Sequence, residues 1–337
     1  MKPKLLLLHS GGTIGMQPSP NGYHPLPSFI PTLQEQLAHL DTLYQLDFLE
    51  LSPLMDSANL QARDWQHLAR LLIEHWEDYD GFVLLHGTDT LAYSASALSF
   101  LLGPINKPVV LTGSQIPLLH PRSDAHQHLL EALMLASRPE LNEVVICFHQ
   151  RILRGNRSRK VHSQAMAAFD SPNFPWLGEM QIELQLESSL LLPAATPEFV
   201  ALDLESVRVA QFSFFPGVEA EQLHAMIQAC PLDGLVLHTY GAGNIPQGNQ
   251  DLVRVLEAAQ AQGITLVNTT QCAQGAVNQQ AYAAGSLLSR IGVLSAQEMT
   301  PEAAFTKLTY LLARGLRDSK LAQAFALPLR GEVNLSG

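Results

Sequence analysis

The chain has 337 residues, of which 47% are hydrophobic and 15% are charged, and its formal net charge is -11 at pH 7. This length exceeds the usual size of a single hydrophobic core, so two domains are expected. The acidic balance argues against nucleic acid or an anionic membrane as the main partner, although it does not identify a ligand.

The N-terminal sequence and the cysteines predict a cytoplasmic location. The first apolar run is four leucines long and ends at His9, which is shorter than the apolar core of a signal peptide. No stretch approaches the length of a membrane span. Cys147, Cys230 and Cys272 are odd in number and far apart, which argues against a disulfide framework and favours a reducing compartment.

Short apolar runs alternate with helical patterns along most of the chain. We predict strands within residues 4–12, 80–89, 107–115, 142–150, 207–217, 233–244 and 264–272. We predict helices within residues 64–76, 90–103, 123–137, 219–230, 249–263 and 300–315. This order predicts βαβ units and a doubly wound α/β fold with a largely parallel sheet.

A proline-rich region at 171–206 interrupts this alternation. We interpret it as the end of a larger N-terminal domain followed by a linker. The predicted organisation is an N-terminal domain over 1–185, a linker over 186–206 and a smaller C-terminal α/β domain over 207–337.

Polar residues follow three of the predicted strands, in "HSGGTIG" (9–15), "HGTDTLAY" (86–93) and "TGSQIP" (112–117). In an open α/β sheet, ligands bind at the carboxyl ends of the strands. If these strands are neighbours, one crevice receives the side chains of Thr13, Thr88, Asp89, Ser114 and Gln115.

The glycines before Thr13 have two interpretations. They lack the GxGxxG spacing of a dinucleotide site. They would let the backbone approach a ligand and expose the Thr13 hydroxyl, beneath a 16–27 loop that closes as a lid carrying Tyr23. The alternative is a glycine turn with a capping threonine.

The "GTDT" segment also has two interpretations. Thr88, Asp89 or Thr90 is a suitable N-cap for a helix beginning near Leu91. Alternatively, a threonine hydroxyl here reacts with the help of a lysine, and Lys160 in "RGNRSRK" is the candidate base. Taken alone, that basic segment reads as a solvated face.

Together these motifs resemble the bacterial type I (cytoplasmic) L-asparaginases, and more loosely the wider asparaginase/glutaminase family. The similarity lies in "GGTIG", "HGTDTLAYSASALSF", "LTGSQIPL", "PLMDS", "RGNRSRK", "YGAGN" and "TQC". The resemblance implies an amidohydrolase that converts L-asparagine to L-aspartate and ammonia. It also implies a catalytic N-terminal domain, a homodimer or homotetramer, and no metal or organic cofactor.

The resemblance assigns catalytic roles to five residues. Thr13 is the nucleophile that attacks the side-chain amide carbon, and Tyr23 contacts its hydroxyl. Thr88, Asp89 and Lys160 form the second catalytic group. The order in which the two threonines attack stays open.

The same resemblance implies the substrate contacts. Ser57 binds the α-carboxylate with support from Asp56, and Asp89 binds the α-ammonium. Ser114 lines the crevice, and Asn244 reaches it from another subunit.

This sequence departs from the family at three positions. Ser10 replaces a common threonine, and Ala58 replaces a polar residue that contacts substrate. Some type I enzymes have a second, activating asparagine site, in which His238 here replaces an arginine and near which Cys272 lies. Because neutral imidazole cannot make a bidentate carboxylate contact, we expect weak or absent activation. We interpret Cys272 itself as a buried structural thiol.

Three other functions are alternatives to asparagine hydrolysis. A glutaminase, or an enzyme acting on both amides, differs only in pocket length. A non-catalytic amino-acid sensor would not need all of Thr13, Thr88, Asp89 and Lys160. A nucleotide-binding oxidoreductase would need the GxGxxG motif, which this chain lacks.

The His126–His128 pair suggests a metal site, but no set of cysteines or carboxylates completes the coordination sphere, and we interpret both histidines as helix-surface residues.

Overall fold

A computed structural model of the chain describes residues 2–20, 22–27, 29–279 and 283–334. The chain divides into two compact units, Met1–Val200 and Ala201–Gly337. The division falls inside the 186–206 segment that the sequence predicts as a linker.

The first unit contains most of the strands. They are β1 (Lys4–His9), β2 (Met16–Ser19), β3 (Gly22–Pro25), β4 (Gln45–Glu50), β5 (Gly81–Leu85), β6 (Val109–Thr112), β7 (Val144–Phe148), β8 (Arg151–Arg154), β9 (Arg159–Lys160), β10 (Phe169–Asp170), β11 (Gly178–Met180) and β12 (Leu184–Leu186). Its α-helices are α1 (Phe29–Leu37), α2 (Ala62–Glu74), α3 (Leu91–Leu102) and α4 (Ala125–Ala136).

Its main sheet has eight strands in the described part of the chain, in the order β12-β11-β8-β7-β6-β5-β1-β4. The run from β4 through β1, β5 and β6 to β7 is parallel. Strands β8, β11 and β12 extend one edge in antiparallel fashion. Because β1, β5 and β6 are parallel neighbours, the residues that follow them meet at one edge of the sheet.

Apolar side chains cover both faces of the parallel strands. Alternate residues, among them Leu7, Val83 and Val110, pack with α1 and α4 in one buried cluster. Phe82 points to the opposite face by strand alternation, where its ring stacks on Trp76 with the centroids 5.2 Å apart. Burial on both faces explains the near-continuous apolar runs in the sequence.

The segment predicted as a 16–27 loop folds as a β-hairpin instead. Strand β2 pairs with β3 in antiparallel register, with Met16 opposite Pro25 and Pro18 opposite Tyr23. The prolines that suggested an irregular loop are tolerated because this isolated ribbon has free edges. Asn21, at the tip of the predicted loop, lies outside the described residues.

The second unit is a smaller α/β unit. Its strands are β13 (Val209–Ser213), β14 (Gly234–Thr239), β15 (Thr265–Thr270) and β16 (Leu294–Ser295), and its helices are α5 (Ala220–Ala229), α6 (Gln250–Ala261), α7 (Ala283–Ile291), α8 (Pro301–Ala313) and α9 (Asp318–Ala326). The four strands pair in chain order, and every pair is parallel.

The structure confirms the predicted fold class. Each strand and helix predicted from the sequence is present, with ends that shift by a few residues. The sequence patterns do not predict α1, α7 and α9, nor the strands β4, β8, β11 and β12 of the main sheet. None of the helices in the described ranges is long and apolar enough to cross a membrane.

A buried ion pair fixes the C-terminal segment of the second unit. Lys307, on α8, lies 2.5 Å from the Glu332 carboxylate, and both side chains are fully buried. The lysine also donates to the carbonyls of Phe325 and Leu327, at 2.8 and 2.7 Å. Glu332 in turn accepts from the backbone N–H of Arg330 at 2.7 Å.

We predict that Lys307→Met destabilises the second unit by about 3–5 kcal/mol, because it leaves the Glu332 carboxylate buried without a counter-charge. Urea unfolding followed by circular dichroism measures the loss. Arg254→Ala is the control, since it removes an exposed ion pair with Asp251 and should cost less than about 1 kcal/mol. Equal losses in the two variants would contradict the assignment.

Candidate active site

The ends of β1 and β5 approach closely because glycines stand at both contact points. A Cβ atom added to Gly12 would lie 2.5 Å from the amide nitrogen of Gly87, and one added to Gly87 would lie 2.3 Å from Ser57 Oγ. Gly12 also has a φ of +95°, which favours glycine. The loops that carry Thr13 and Thr88 are therefore packed backbone to backbone, and the Ser57 side chain packs directly against Gly87.

Lys160 connects two of the candidate residues. Its Nζ donates to Thr88 Oγ1 at 2.9 Å and to Asp89 Oδ1 at 2.7 Å. Thr88 is buried, whereas the Asp89 side chain is 64% exposed. Lys160 is held in place by pairing of β9 with Phe169 in β10. The arrangement gives a threonine hydroxyl an adjacent amine.

Helix capping does not account for these side chains. Helix α3 begins at Leu91, as predicted, and Thr90 occupies the N-cap position. However, the Thr90 hydroxyl donates to the carbonyl of Ser57 at 2.7 Å and makes no capping bond. The capping interpretation of Thr88 and Asp89 is therefore wrong, since both bond to Lys160.

The solvated-face interpretation of the basic segment is also wrong. Arg154 is buried and makes an ion pair of 2.6 Å with buried Glu143. Arg157 is buried as well, with its guanidinium 4.7 Å from the ring centre of Phe174. These arginines anchor the chain just before Lys160.

Thr13 begins the 3-10 turn Thr13–Gly15 and is half-buried, and its hydroxyl makes no hydrogen bond to any described residue. Tyr23 is 55% exposed on the β2–β3 hairpin, and no hydrogen bond joins it to Thr13 within the described ranges. A cavity of about 230 Å³ lies at the base of this hairpin, lined by Gly11, Gly12, Gly15, Met16, Pro25, Leu54, Met55 and Asp56.

The "MDS" segment borders this cavity through Met55 and Asp56, and its Ser57 begins the turn Ser57–Asn59. Asp56 is exposed, and its carboxylate accepts from the backbone of Ala58 at 3.1 Å and from Asn59 Nδ2 at 2.8 Å. Ser57 is buried against Gly87. Asp56 is therefore oriented by its own turn, next to the loop that carries Thr88.

Residues after β6 are held by Asp124, the N-cap residue of helix α4. Asp124 accepts from the backbone N–H groups of Gln115 and Ile116, both at 2.9 Å. Ser114 is buried, and its hydroxyl has no partner in the described part of the chain. Gln115 was expected in the crevice, but its side chain donates to the carbonyl of Ala165 at 2.9 Å. It ties down the loop after Lys160.

Three buried histidines have rings at this edge of the sheet, namely His9, His86 and His128, and the sequence motifs indicate no role for His9 or His86. His9 Nδ1 donates to the Glu50 carboxylate at 2.9 Å, and His9 Nε2 is buried without a partner among the described residues. His86 contacts the carbonyl of Gly87 at 2.7 Å. Their positions could have been predicted from the sequence, because His9 and His86 each come at the end of an apolar run that forms a buried strand.

His128 is the third of these residues, and its interpretation as a helix-surface histidine is wrong. It is buried on α4, where Nδ1 contacts the carbonyl of Gly113 at 2.9 Å and Nε2 accepts from the backbone of His149 at 3.0 Å. Both ring nitrogens are thus occupied, while His126 is exposed. Among the described residues, no three His, Cys, Asp or Glu side chains are grouped to hold a metal ion.

Burial sets the protonation of all three rings. It lowers the pKa of His9, of His86 and of His128 below the ordinary value of 6.5, against the opposing effect of their hydrogen-bond acceptors. The rings are therefore neutral near pH 7.

The second unit carries the other predicted site residues. Asn244 lies in a tight turn after β14, where its backbone exchanges two hydrogen bonds with Tyr240. His238 contacts Gln211 Oε1 at 2.9 Å. Cys272 follows β15, next to β14 in the sheet. The prediction that Cys272 is a buried thiol is wrong, because it is exposed in the turn that follows the strand.

Thr88 and Asp89 follow the parallel strand β5, and Lys160 reaches both from the antiparallel β9–β10 pair. A threonine, a lysine and a carboxylate in this arrangement define a candidate hydrolase centre built on hydroxyl chemistry. Comparison with known protein families supports the assignment to the hydrolases. Residues 4–191 match the model "Asparaginase, N-terminal", and residues 208–325 match the "Glutaminase/Asparaginase C-terminal domain". The chain belongs to the asparaginase/glutaminase family.

Individual relatives cover nearly the whole chain. L-asparaginase 1 of Escherichia coli (strain K12) is 41% identical, over 98% of each chain. L-asparaginase of Thermococcus kodakarensis is 35% identical, over 98% of this chain and 99% of its own. The crystal structure of L-asparaginase I from Vibrio cholerae matches with a TM-score of 0.89 and 37% identity, and the match covers 99% of this chain and 100% of that one.

We predict that the free energy of unfolding of the first unit falls as the pH drops below about 6.5. In this range His9, His86 and His128 bind protons in the unfolded chain, whereas in the folded chain they stay neutral because their pKa values are lowered. Each lowered pKa contributes up to about 1.4 kcal/mol per pH unit. Urea titrations from pH 7.5 to about 5.5 measure the slope, over a range where carboxylates stay ionised in the unfolded state.

His128→Asn should remove roughly a third of that slope, since it removes one of three comparable contributions. His39→Gln should leave it unchanged, because His39 is exposed. A free energy of unfolding that is flat across this range would contradict the assignment of three neutral buried rings.

Proposed function

We propose that this chain is an L-asparaginase, which hydrolyses L-asparagine to L-aspartate and ammonia through a threonine nucleophile. The observation that carries the proposal is Lys160 Nζ at 2.9 Å from Thr88 Oγ1 and 2.7 Å from Asp89 Oδ1. The names of the relatives that match nearly the full chain support the same reaction.

The proposed reaction has two steps. Thr13 Oγ attacks the side-chain amide carbon, the carbon–nitrogen bond breaks, and ammonia leaves with the hydroxyl proton. Water then attacks the resulting ester, which releases L-aspartate and restores the Thr13 hydroxyl. In both steps the Thr88–Lys160 pair moves a proton, towards the leaving nitrogen in the first and away from water in the second.

Backbone amides supply the electrostatic part of this mechanism. The N–H groups of Thr13 and Thr88 have no hydrogen-bond partner among the described residues. Both belong to the loops that meet at Gly12 and Gly87. Donors that are fixed before the reaction stabilise the negative charge that develops on the carboxamide oxygen.

Side chains around the crevice supply the substrate contacts. Asp89 is 64% exposed, so its carboxylate is open to the substrate α-ammonium. Ser57 and Asp56 bind the α-carboxylate end, and Ser114 offers its unpartnered hydroxyl. Asn244 completes the site from another subunit of a homodimer or homotetramer.

Tyr23 requires a movement to take part. Its ring is exposed on a hairpin whose base lines the 230 Å³ cavity. We propose that the hairpin closes over the bound substrate and brings the phenol to the Thr13 hydroxyl, in the manner of a catalytic lid.

The location, the cofactor requirement and the domain bounds that we propose come from the sequence and its resemblance to the type I L-asparaginases. We propose a cytoplasmic enzyme that needs no metal or organic cofactor, with a catalytic domain over 1–185, a linker over 186–206 and a smaller domain over 207–337. The alternative is glutaminase or dual activity, which the name of the matched C-terminal model keeps open. A sensor on the same fold is disfavoured because the Thr88–Lys160 pair is intact.

We predict that the parent releases ammonia from L-asparagine, and that Thr13→Ala, Thr88→Ala and Lys160→Ala each lower kcat by several orders of magnitude. Coupled ammonia assays with L-asparagine, L-glutamine and D-asparagine measure both activity and preference. Circular dichroism confirms that each variant is folded. Full activity in Thr13→Ala would remove the proposed nucleophile, and a parent active on none of the amides would favour the sensor.

We also predict a hyperbolic dependence of rate on L-asparagine, because His238 cannot hold a second carboxylate bidentately. Its imidazole already contacts Gln211. Steady-state rates over a wide range of asparagine concentration test this, with His238→Arg as the comparison variant. A clearly sigmoidal curve for the parent would contradict the prediction.

A further inference from the structure

Two strand ends in the candidate site are held by the same kind of contact. His86 Nδ1 lies 2.7 Å from the carbonyl oxygen of Gly87, and His128 Nδ1 lies 2.9 Å from that of Gly113. Both imidazoles are buried, at 1% exposure each. Because a carbonyl oxygen only accepts, each imidazole donates its Nδ1 hydrogen.

The second nitrogen of each ring faces a donor, and this fixes the tautomer. The Ser94 hydroxyl lies 2.9 Å from His86 Nε2, and Trp65 Nε1 donates to the same hydroxyl oxygen at 3.1 Å. Ser94 is therefore free to donate its own hydrogen to the imidazole. His128 Nε2 accepts from the backbone N–H of His149 at 3.0 Å, a group that can only donate.

These contacts set the orientation of two peptide bonds. In a trans peptide the N–H points to the side opposite the C=O. The N–H of Thr88 therefore points away from His86, and the N–H of Ser114 points away from His128. Neither N–H has a hydrogen-bond partner in the ranges that the structure describes. The buried Ser114 hydroxyl also has none.

Backbone N–H groups in a protein interior are almost always paired. Two such groups without partners, on adjacent strand ends next to the Thr88–Lys160 pair, point to a ligand that accepts hydrogen bonds. Gly113 packs against this site as well, since a Cβ there would lie 3.6 Å from the Thr88 methyl group.

We propose that His86 and His128 are positioning residues. Each imidazole holds a carbonyl, that of Gly87 or Gly113, pointing towards itself. The N–H groups of Thr88 and Ser114 on the opposite sides of these peptide bonds are thereby directed to the substrate. This inference rests on the proposed amide hydrolysis. Neither imidazole touches the substrate. They act by fixing donors before negative charge develops on the carboxamide oxygen.

Paired substitutions separate the two nitrogens of each ring. Asparagine places its amide nitrogen near the position of Nδ1 and keeps the donation to the carbonyl, whereas glutamine reaches only the Nε2 position. We expect His86→Gln and His128→Gln to lower kcat about 10- to 100-fold, with KM changed by less than about threefold. The His86→Asn and His128→Asn variants should stay within about fivefold of the parent.

His39→Gln is the control and should keep the parent kcat, because this histidine is exposed on the short turn Ala38–Leu40. Thermal unfolding of every variant reports its stability. Glutamine variants that fold and retain the parent kcat would overturn the positioning role while leaving the proposed function intact. The positioning role would also be overturned if the asparagine and glutamine variants lost kcat equally and in proportion to their loss of thermal stability.

A second measurement needs no substitution. Spectra of the parent labelled with nitrogen-15 histidine distinguish the Nδ1–H from the Nε2–H tautomer. The proposal predicts the Nδ1–H tautomer for His86 and His128, and an Nε2–H tautomer for either one would overturn it for that residue. A parent that releases no ammonia would instead refute the proposed function, and this inference with it.

Discussion

The hydrogen bond from Lys160 to the Thr88 hydroxyl is the interaction on which the functional account depends. The two residues are 72 positions apart in the sequence, and the same amine reaches the neighbouring Asp89. A flexible lysine side chain holds this geometry only if both backbones are fixed. Thr88 is fixed by the end of β5, and Lys160 by the β9–β10 pair, with buried arginines just before it.

The parallel sheet provides the surrounding constraint. Strands β1, β5 and β6 end at one edge, and glycines at positions 12 and 87 let the loops that follow them touch. The same edge contains three buried histidines, whose neutral rings satisfy some backbone groups and leave others unpaired. The cost of burying these rings, and of leaving N–H groups without partners, is consistent with a site built for binding rather than for stability.

Much of this could be predicted from the sequence. Apolar runs that alternate with amphipathic helices specify the doubly wound fold, because only a sheet covered on both faces buries such strands. The small polar residues after those runs located the crevice, because parallel strands end together. Periodicity carries less information for α1 and α9, whose apolar stripes are short, and for edge strands, which are partly exposed.

The errors have physical reasons as well. A hydroxyl before a helix is a good cap by itself, and only the distant Lys160 shows that Thr88 has another partner. The arginines at 154 and 157 read as a solvated charge run because their buried partners lie elsewhere in the chain. His128 follows the polar spacing of a surface helix, yet its ring reaches the end of β6.

The most direct test of the central claim is a double-mutant cycle on kcat/KM with Thr88→Val and Lys160→Met. If the hydroxyl and the amine act as one unit, the double variant will be about as slow as the slower single variant, because the second change removes nothing further. Losses that multiply in the double variant would show two independent contributions, and would contradict the assignment of the Thr88–Lys160 contact as the catalytic pair.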